Sequence, residues 1–173
     1  MRLEDLVLLE GWEWKGEIKS FSNIKPGDEI TIVDIEKKKG LFFGAAAAFF
    51  GHGDAKYAYM LINIDDTFYI PLYPYGVNLL NMDKWTPYGV MVLRYDTLGN
   101  SYVVADIPGY LIPIRNKFQL KVGLPKKVVA WFGEYSPSHT IGAYVLYLYA
   151  YIYDEDAFRK SLRELYGMPA RQK

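Results

Sequence analysis

Between Trp12 and Tyr153 the chain runs through short apolar segments rich in β-branched and aromatic residues. Each is closed by Gly, Pro, Asp or Asn, and no helix longer than about a turn need intervene. Strands of this number and spacing, without crossover helices, predict a mainly β protein. The expected fold is an antiparallel β-sandwich of jelly-roll type rather than a βαβ fold.

The strands can be placed one by one. Trp12 and Trp14 share a face of the first, and Lys25-Pro26-Gly27-Asp28 makes a turn after it. Glu29 to Ile35 is β-branched and ends at the solvated run Lys37-Lys38-Lys39. Leu41 to Phe50 is read as a strand beside 56–64, its small alanines leaving room for large residues opposite. Asp65-Asp66 turns the chain into a short return strand, 68–72. One helical turn is expected at 77–80. Strands follow at 90–95, 102–107, 118–122, 128–132 and 141–153, with Gly99 carrying the positive φ of the 96–100 hairpin.

Three parts follow: an N-terminal arm or short helix at 1–11, the sandwich at 12–153, and an amphipathic helix with a tail at 154–173. Asp154 caps that helix and Glu155 and Asp156 suit its positive end. Gly167 and Pro169 stop it. Phe158, Leu162 and Leu165 form its apolar face with Tyr166. About three turns cannot stand alone, so this face must dock.

Composition narrows the function. Lys plus Arg equals Asp plus Glu at 20 each, so no basic excess draws nucleic acid. Cysteine is absent, which excludes thiol catalysis, zinc–thiolate sites and disulfides. The N-terminus lacks the apolar stretch of a signal peptide, and no run approaches the roughly 20 residues of a membrane helix. Abundant Tyr, Ile and charge without Cys would suit a thermophilic source.

Catalytic groups are few. The two histidines, His52 and His139, could meet with Asp54 to form a metal site, but no paired-histidine spacing supports it. They are read as solvated loop residues, and no metal or cofactor is expected. Ser136 and Ser138 beside His139 lack a nucleophile elbow. Asp65-Asp66 and Glu155-Asp156 suit turn and cap chemistry better than a glycosidase pair. No catalytic residue is assigned, and the chain is read as a non-enzyme.

The last strand is the most distinctive. Tyr144, Leu146, Leu148, Ala150 and Ile152 fall on one face, read as ordinary core. Val145, Tyr147, Tyr149, Tyr151 and Tyr153 fall on the other. Those four tyrosines are read in three ways: a second buried layer beneath the terminal helix or arm, a subunit interface, or a sugar-stacking platform.

The order of elements over residues 41–153 resembles single jelly-roll proteins of phage and archaeal-virus particles, such as collar, turret, fibre and capsid-surface components. The resemblance rests on Met60-Leu61-Ile62-Asn63-Ile64-Asp65-Asp66, on Leu72-Tyr73-Pro74-Tyr75-Gly76-Val77, and on Ile112-Pro113-Ile114-Arg115-Asn116-Lys117-Phe118-Gln119-Leu120-Lys121-Val122 followed by aromatic strands. It implies a virion surface or assembly protein whose partners are other copies or other particle proteins, located in the virion or in the cytoplasm before assembly. A carbohydrate-binding sandwich with glycan as ligand is the alternative, and an enzyme of unknown reaction the second alternative.

Overall fold

The strands form where the turns allow. The computed structural model describes residues 9–79, 90–106, 112–130 and 133–167. In chain order these give β1 (Trp12–Ile24), β2 (Glu29–Glu36), β3 (Gly40–Phe50), a 3₁₀ turn (Gly53–Tyr57), β4 (Tyr59–Ile64), β5 (Phe68–Leu72) and α1 (Pro74–Leu79). Then come β6 (Val90–Asp96), β7 (Ser101–Asp106), β8 (Ile112–Ile114), β9 (Lys117–Gly123), β10 (Val128–Ala130), β11 (Gly133–Tyr135), β12 (Ile141–Ile152) and α2 (Glu155–Leu165). Residues 1–8 of the arm expected at 1–11, the end of the 128–132 strand and the tail from 168 lie outside the described residues.

One sheet has the order β1-β12-β3-β7-β6, with β8 pairing the start of β3; the other has the order β2-β9-β4-β5. All pairings are antiparallel, and β10–β11 is a separate hairpin. The chain alternates between sheets: β1, β3, β7 and β12 lie in one, β2, β4, β5 and β9 in the other. Late strands insert between early ones, β12 between β1 and β3 and β9 between β2 and β4. The protein is thus a mainly β, antiparallel sandwich with a short C-terminal helix.

The core lies between the sheets. Phe42, Phe49, Tyr102, Val104, Val145, Tyr147 and Tyr149 of the first meet Met60, Ile62, Phe118, Leu120 and Val122 of the second. The Phe118 ring reaches across to both Phe42 and Tyr149, with centroids 5.3 and 5.2 Å apart. Burying a side chain of this size contributes about 1.5–3 kcal/mol.

Two expectations are corrected. Residues 41–50 are a strand, but β3 pairs with β12, β7 and β8 rather than with β4. The 3₁₀ turn between them carries the chain to the opposite sheet, so sequence neighbours become facing partners. In the 96–100 hairpin the left-handed residue is Asn100, at φ 46°, not Gly99. A Cβ at 99 would lie 2.6 Å from the Asp96 carboxylate, which would have to shift to admit it.

At the C-terminus Asp154 accepts from the amides of Asp156 and Ala157 at 3.1 and 3.0 Å, starting α2 as its sequence dictates. Phe158, Leu162 and Leu165 pack on Leu9, Trp12, Trp14, Phe43 and Ile152 at the outer face of the first sheet. A bulge in β3 between its pairings to Leu148 and Tyr149 turns Phe43 outward, where its ring lies 4.3 Å from Trp14. Among the described residues, no helix is long and apolar enough to cross a membrane.

Candidate functional site

The tyrosine row turns inward, which corrects the surface readings of Tyr147 and Tyr149. Both are buried in the core between the sheets, at 6% and 8% exposure, and Tyr151 packs at its margin. What covers Tyr147 and Tyr149 is the facing sheet, whereas the C-terminal helix packs on the opposite face of β12. Only Tyr153, beyond the end of β12, is exposed. The physical reason lies in the partner strand. On β1 the residues opposite Tyr147, Tyr149 and Tyr151 are Glu17, Lys15 and Glu13. Tyr147 donates to Glu17 at 2.9 Å and Tyr151 donates to Glu13. Amphipathic rings fill the interior while their hydroxyls reach a charged edge. Burial, then the Glu17 carboxylate, pushes the Tyr147 hydroxyl up to about 12.

The face expected to be core is instead half open. Ala150 and Ile152 lie under α2, but Tyr144, Leu146 and Leu148 are 52%, 51% and 41% exposed, and Ile18 opposite Leu146 is 69% exposed. Gly44, Ala46 and Ala48 of β3 stand opposite Leu148, Leu146 and Tyr144. The small Gly44 and Ala46, with Gly16 of β1, leave a hollow of about 300 Å³ between β1, β12 and β3. Ile18, Leu146 and Leu148 rise beside it. This apolar face was missed in the sequence because both faces of β12 are apolar. The alternation Trp12, Trp14, Gly16, Ile18 against Glu13, Lys15, Glu17, Lys19 was the available signal, but it is legible only once β1 is known to pair with β12.

A second cluster sits at one end of the sandwich. His52 caps the 3₁₀ turn, its Nδ1 accepting from the Asp54 amide at 3.1 Å. The Asp54 carboxylate is fully buried and gathers the loop before β12. It accepts from the Tyr135 hydroxyl, from the amides of Ser138 and His139 at 2.8 and 2.9 Å, and meets His139 Nδ1 at 3.2 Å. Burial alone would raise this carboxyl; the hydrogen bonds outweigh it and hold the group at about 2. The Asp54 carboxylate in turn pushes the Tyr135 hydroxyl up to about 12. The two imidazoles stack with centroids 3.6 Å apart. The histidines are therefore one cluster and not separate solvated loop residues. Sequence spacing could not reveal this, because His139 and Asp54 are 85 residues apart.

Ser138 Oγ lies 3.0 Å from His139 Nδ1, the nitrogen that also faces Asp54. A nucleophile–base–carboxylate relay needs serine and carboxylate on opposite ring nitrogens, so these three residues do not form one. Of the carboxylate pairs, Asp65 accepts the amides of Arg115, Asn116 and Lys117, each at 2.8 Å, and Asp66 joins Lys117. Glu155 pairs with Lys39 at 2.8 Å. These roles are structural.

A third feature is a cleft of about 300 Å³ lined by Tyr57, Tyr73, Tyr75, Pro125, Lys127 and Val128. It lies near the same end, since Tyr57 stacks on Tyr135 with centroids 4.3 Å apart.

Comparison with protein families and with curated proteins finds no match to this chain.

Proposed function

We propose that the protein is a non-enzymatic structural subunit that assembles through the outer face of the β1–β12–β3 sheet, as a surface or capsid-associated component of a virus particle. The observation that carries this is the exposure of Ile18, Tyr144, Leu146 and Leu148 on one continuous sheet face. A contiguous apolar patch of this kind marks a contact surface. The occupant is a second copy. Knobs and hollow lie side by side on the same face, so a two-fold axis can seat the knobs of one copy in the hollow of the other. A formal net charge of zero opposes this little. The strand order, with β12 between β1 and β3 and β9 between β2 and β4, supports a jelly-roll topology and with it the resemblance to particle proteins.

Light scattering on the purified chain tests this. The wild type should self-associate with rising concentration. Ile18→Lys with Leu146→Glu should stay folded, by circular dichroism, and become monomeric. A wild type that remains monomeric at high concentration overturns the self-assembly reading.

A second reading has its own observation. The cleft lined by Tyr57, Tyr73 and Tyr75 has the aromatic walls and the nearby lysine that a glycan ligand would use. Glycan-array binding lost in Tyr75→Ala, with assembly unchanged, would favour it.

A further inference from the structure

We infer that His52, Asp54 and His139 form a binding site for one first-row divalent transition metal ion, of which zinc is the reference case. Nδ1 of His52 lies 3.6 Å from one Asp54 oxygen, and Nδ1 of His139 lies 3.2 Å from the other. The three ligand atoms are all within 4.8 Å of one another. Ligands at about 2.0–2.1 Å from a tetrahedral zinc stand about 3.3 Å apart, so the three atoms close on an ion by drawing together from within 4.8 Å. His52 Nδ1 accepts the Asp54 amide N–H in the metal-free chain, and its lone pair reaches the ion only when that hydrogen bond opens. His139 Nδ1 donates to the carboxylate in the metal-free chain; on binding, that proton moves to Nε2 of the same ring and the lone pair turns to the ion.

Loop fastening alone does not call for this arrangement. Tyr135 and the amides of Ser138 and His139 already tie Asp54 to the loop before β12. Each imidazole also turns a ring nitrogen toward the one carboxylate, which adds a donor set with a specific preference; the stacked rings must swing apart to aim both lone pairs at one ion. Two nitrogens and one oxygen suit zinc, nickel, cobalt or copper rather than calcium or magnesium, which take oxygen ligands. The ion can enter, because the side chains of His52 and His139 are 41% and 56% exposed. Three protein ligands leave a fourth position open to water or to a group on a partner.

The test uses the full chain stripped with chelator. Zinc titrated by calorimetry should bind at one ion per chain, and cobalt should give ligand-field absorption bands. The chain has only two histidines, so imidazole NMR resonances report directly, and both should shift on adding zinc. His52→Ala and His139→Ala should each weaken zinc binding at least tenfold, while Tyr135→Phe keeps it. The inference is overturned if zinc moves neither imidazole resonance, or if the double histidine variant binds zinc as the wild type does. Should a histidine variant fail to fold, the wild-type resonance shifts still decide.

Discussion

Tyr147 stands opposite Glu17 in the β1–β12 ladder, and its hydroxyl donates to that carboxylate at 2.9 Å. The pair explains why a row of tyrosines can be core. β1 is the edge of its sheet, so Glu13, Lys15 and Glu17 on its inner side still reach water. The rings between them and the interior cover apolar surface. Inward-pointing charges on an edge strand also discourage open-ended pairing with another chain.

Tyr149→Ala should cost about 3–5 kcal/mol in urea unfolding, because it removes a buried ring from contact with Phe118 and Tyr147. Tyr147→Phe should cost about 1 kcal/mol, the net worth of one hydrogen bond. If Tyr149→Ala left stability unchanged and altered only assembly, the ring would belong to a surface.

The docking of α2 makes a different prediction. Leu162 is half-buried with Phe158 and Leu165 against Leu9, Trp12 and Trp14. Leu162→Asp should lower stability by about 2–4 kcal/mol, from lost apolar burial and an unpaired charge. Tryptophan fluorescence should shift toward that of exposed indole at a lower denaturant concentration than the global transition. A coincident, unshifted transition would mean that the helix adds nothing to the sheet.

These two sites divide what the sequence could and could not convey. The terminal helix was legible because its cap, apolar stripe and stop signals are all local. The strands were legible because turns such as Lys25-Pro26-Gly27-Asp28 are local too. Which face of β12 turns inward was not. Leu146 and Tyr147 are both at home in a core, and the choice depends on β1 pairing across more than a hundred residues. The Asp54 cluster was hidden for the same reason: its ligand atoms come from a 3₁₀ turn and a distant loop. The expected pairing of 41–50 with 56–64 failed because the chain crosses between sheets at 51–57.

Asp54 should govern acid stability. Its folded carboxyl is held at about 2, below its ordinary 3.8. The stability it contributes is therefore full above the ordinary value and lost as pH falls from about 4 toward 2. Asp54→Asn should flatten that acid limb. It should also speed amide exchange at Ser138 and His139, which lose a charged acceptor. Unchanged exchange at both amides would show that the loop is held by something else.

Asp106 should act in the opposite sense. It lies on the inner face of β7, opposite Ala45, fully buried, and neither carboxylate oxygen has a hydrogen-bond partner among the described residues. Burial pushes it up to about 6 from an ordinary 3.8. The folded state then holds a proton that the unfolded chain releases between those values. Stability is greatest below the lower value and declines as pH rises through about 6. Asp106→Asn removes the ionisation while keeping the shape. It should stabilise the fold by about 1–3 kcal/mol near pH 8 and by little near pH 4. Because Asp54 titrates below this window, the two effects separate on one curve: a stability maximum near pH 4 in the wild type, with a rise toward neutral pH in the Asp106 variant relative to it. Urea unfolding of both proteins across that range tests this, and a variant less stable than the wild type near pH 8 would mean that the charged form of Asp106 is the one the fold requires.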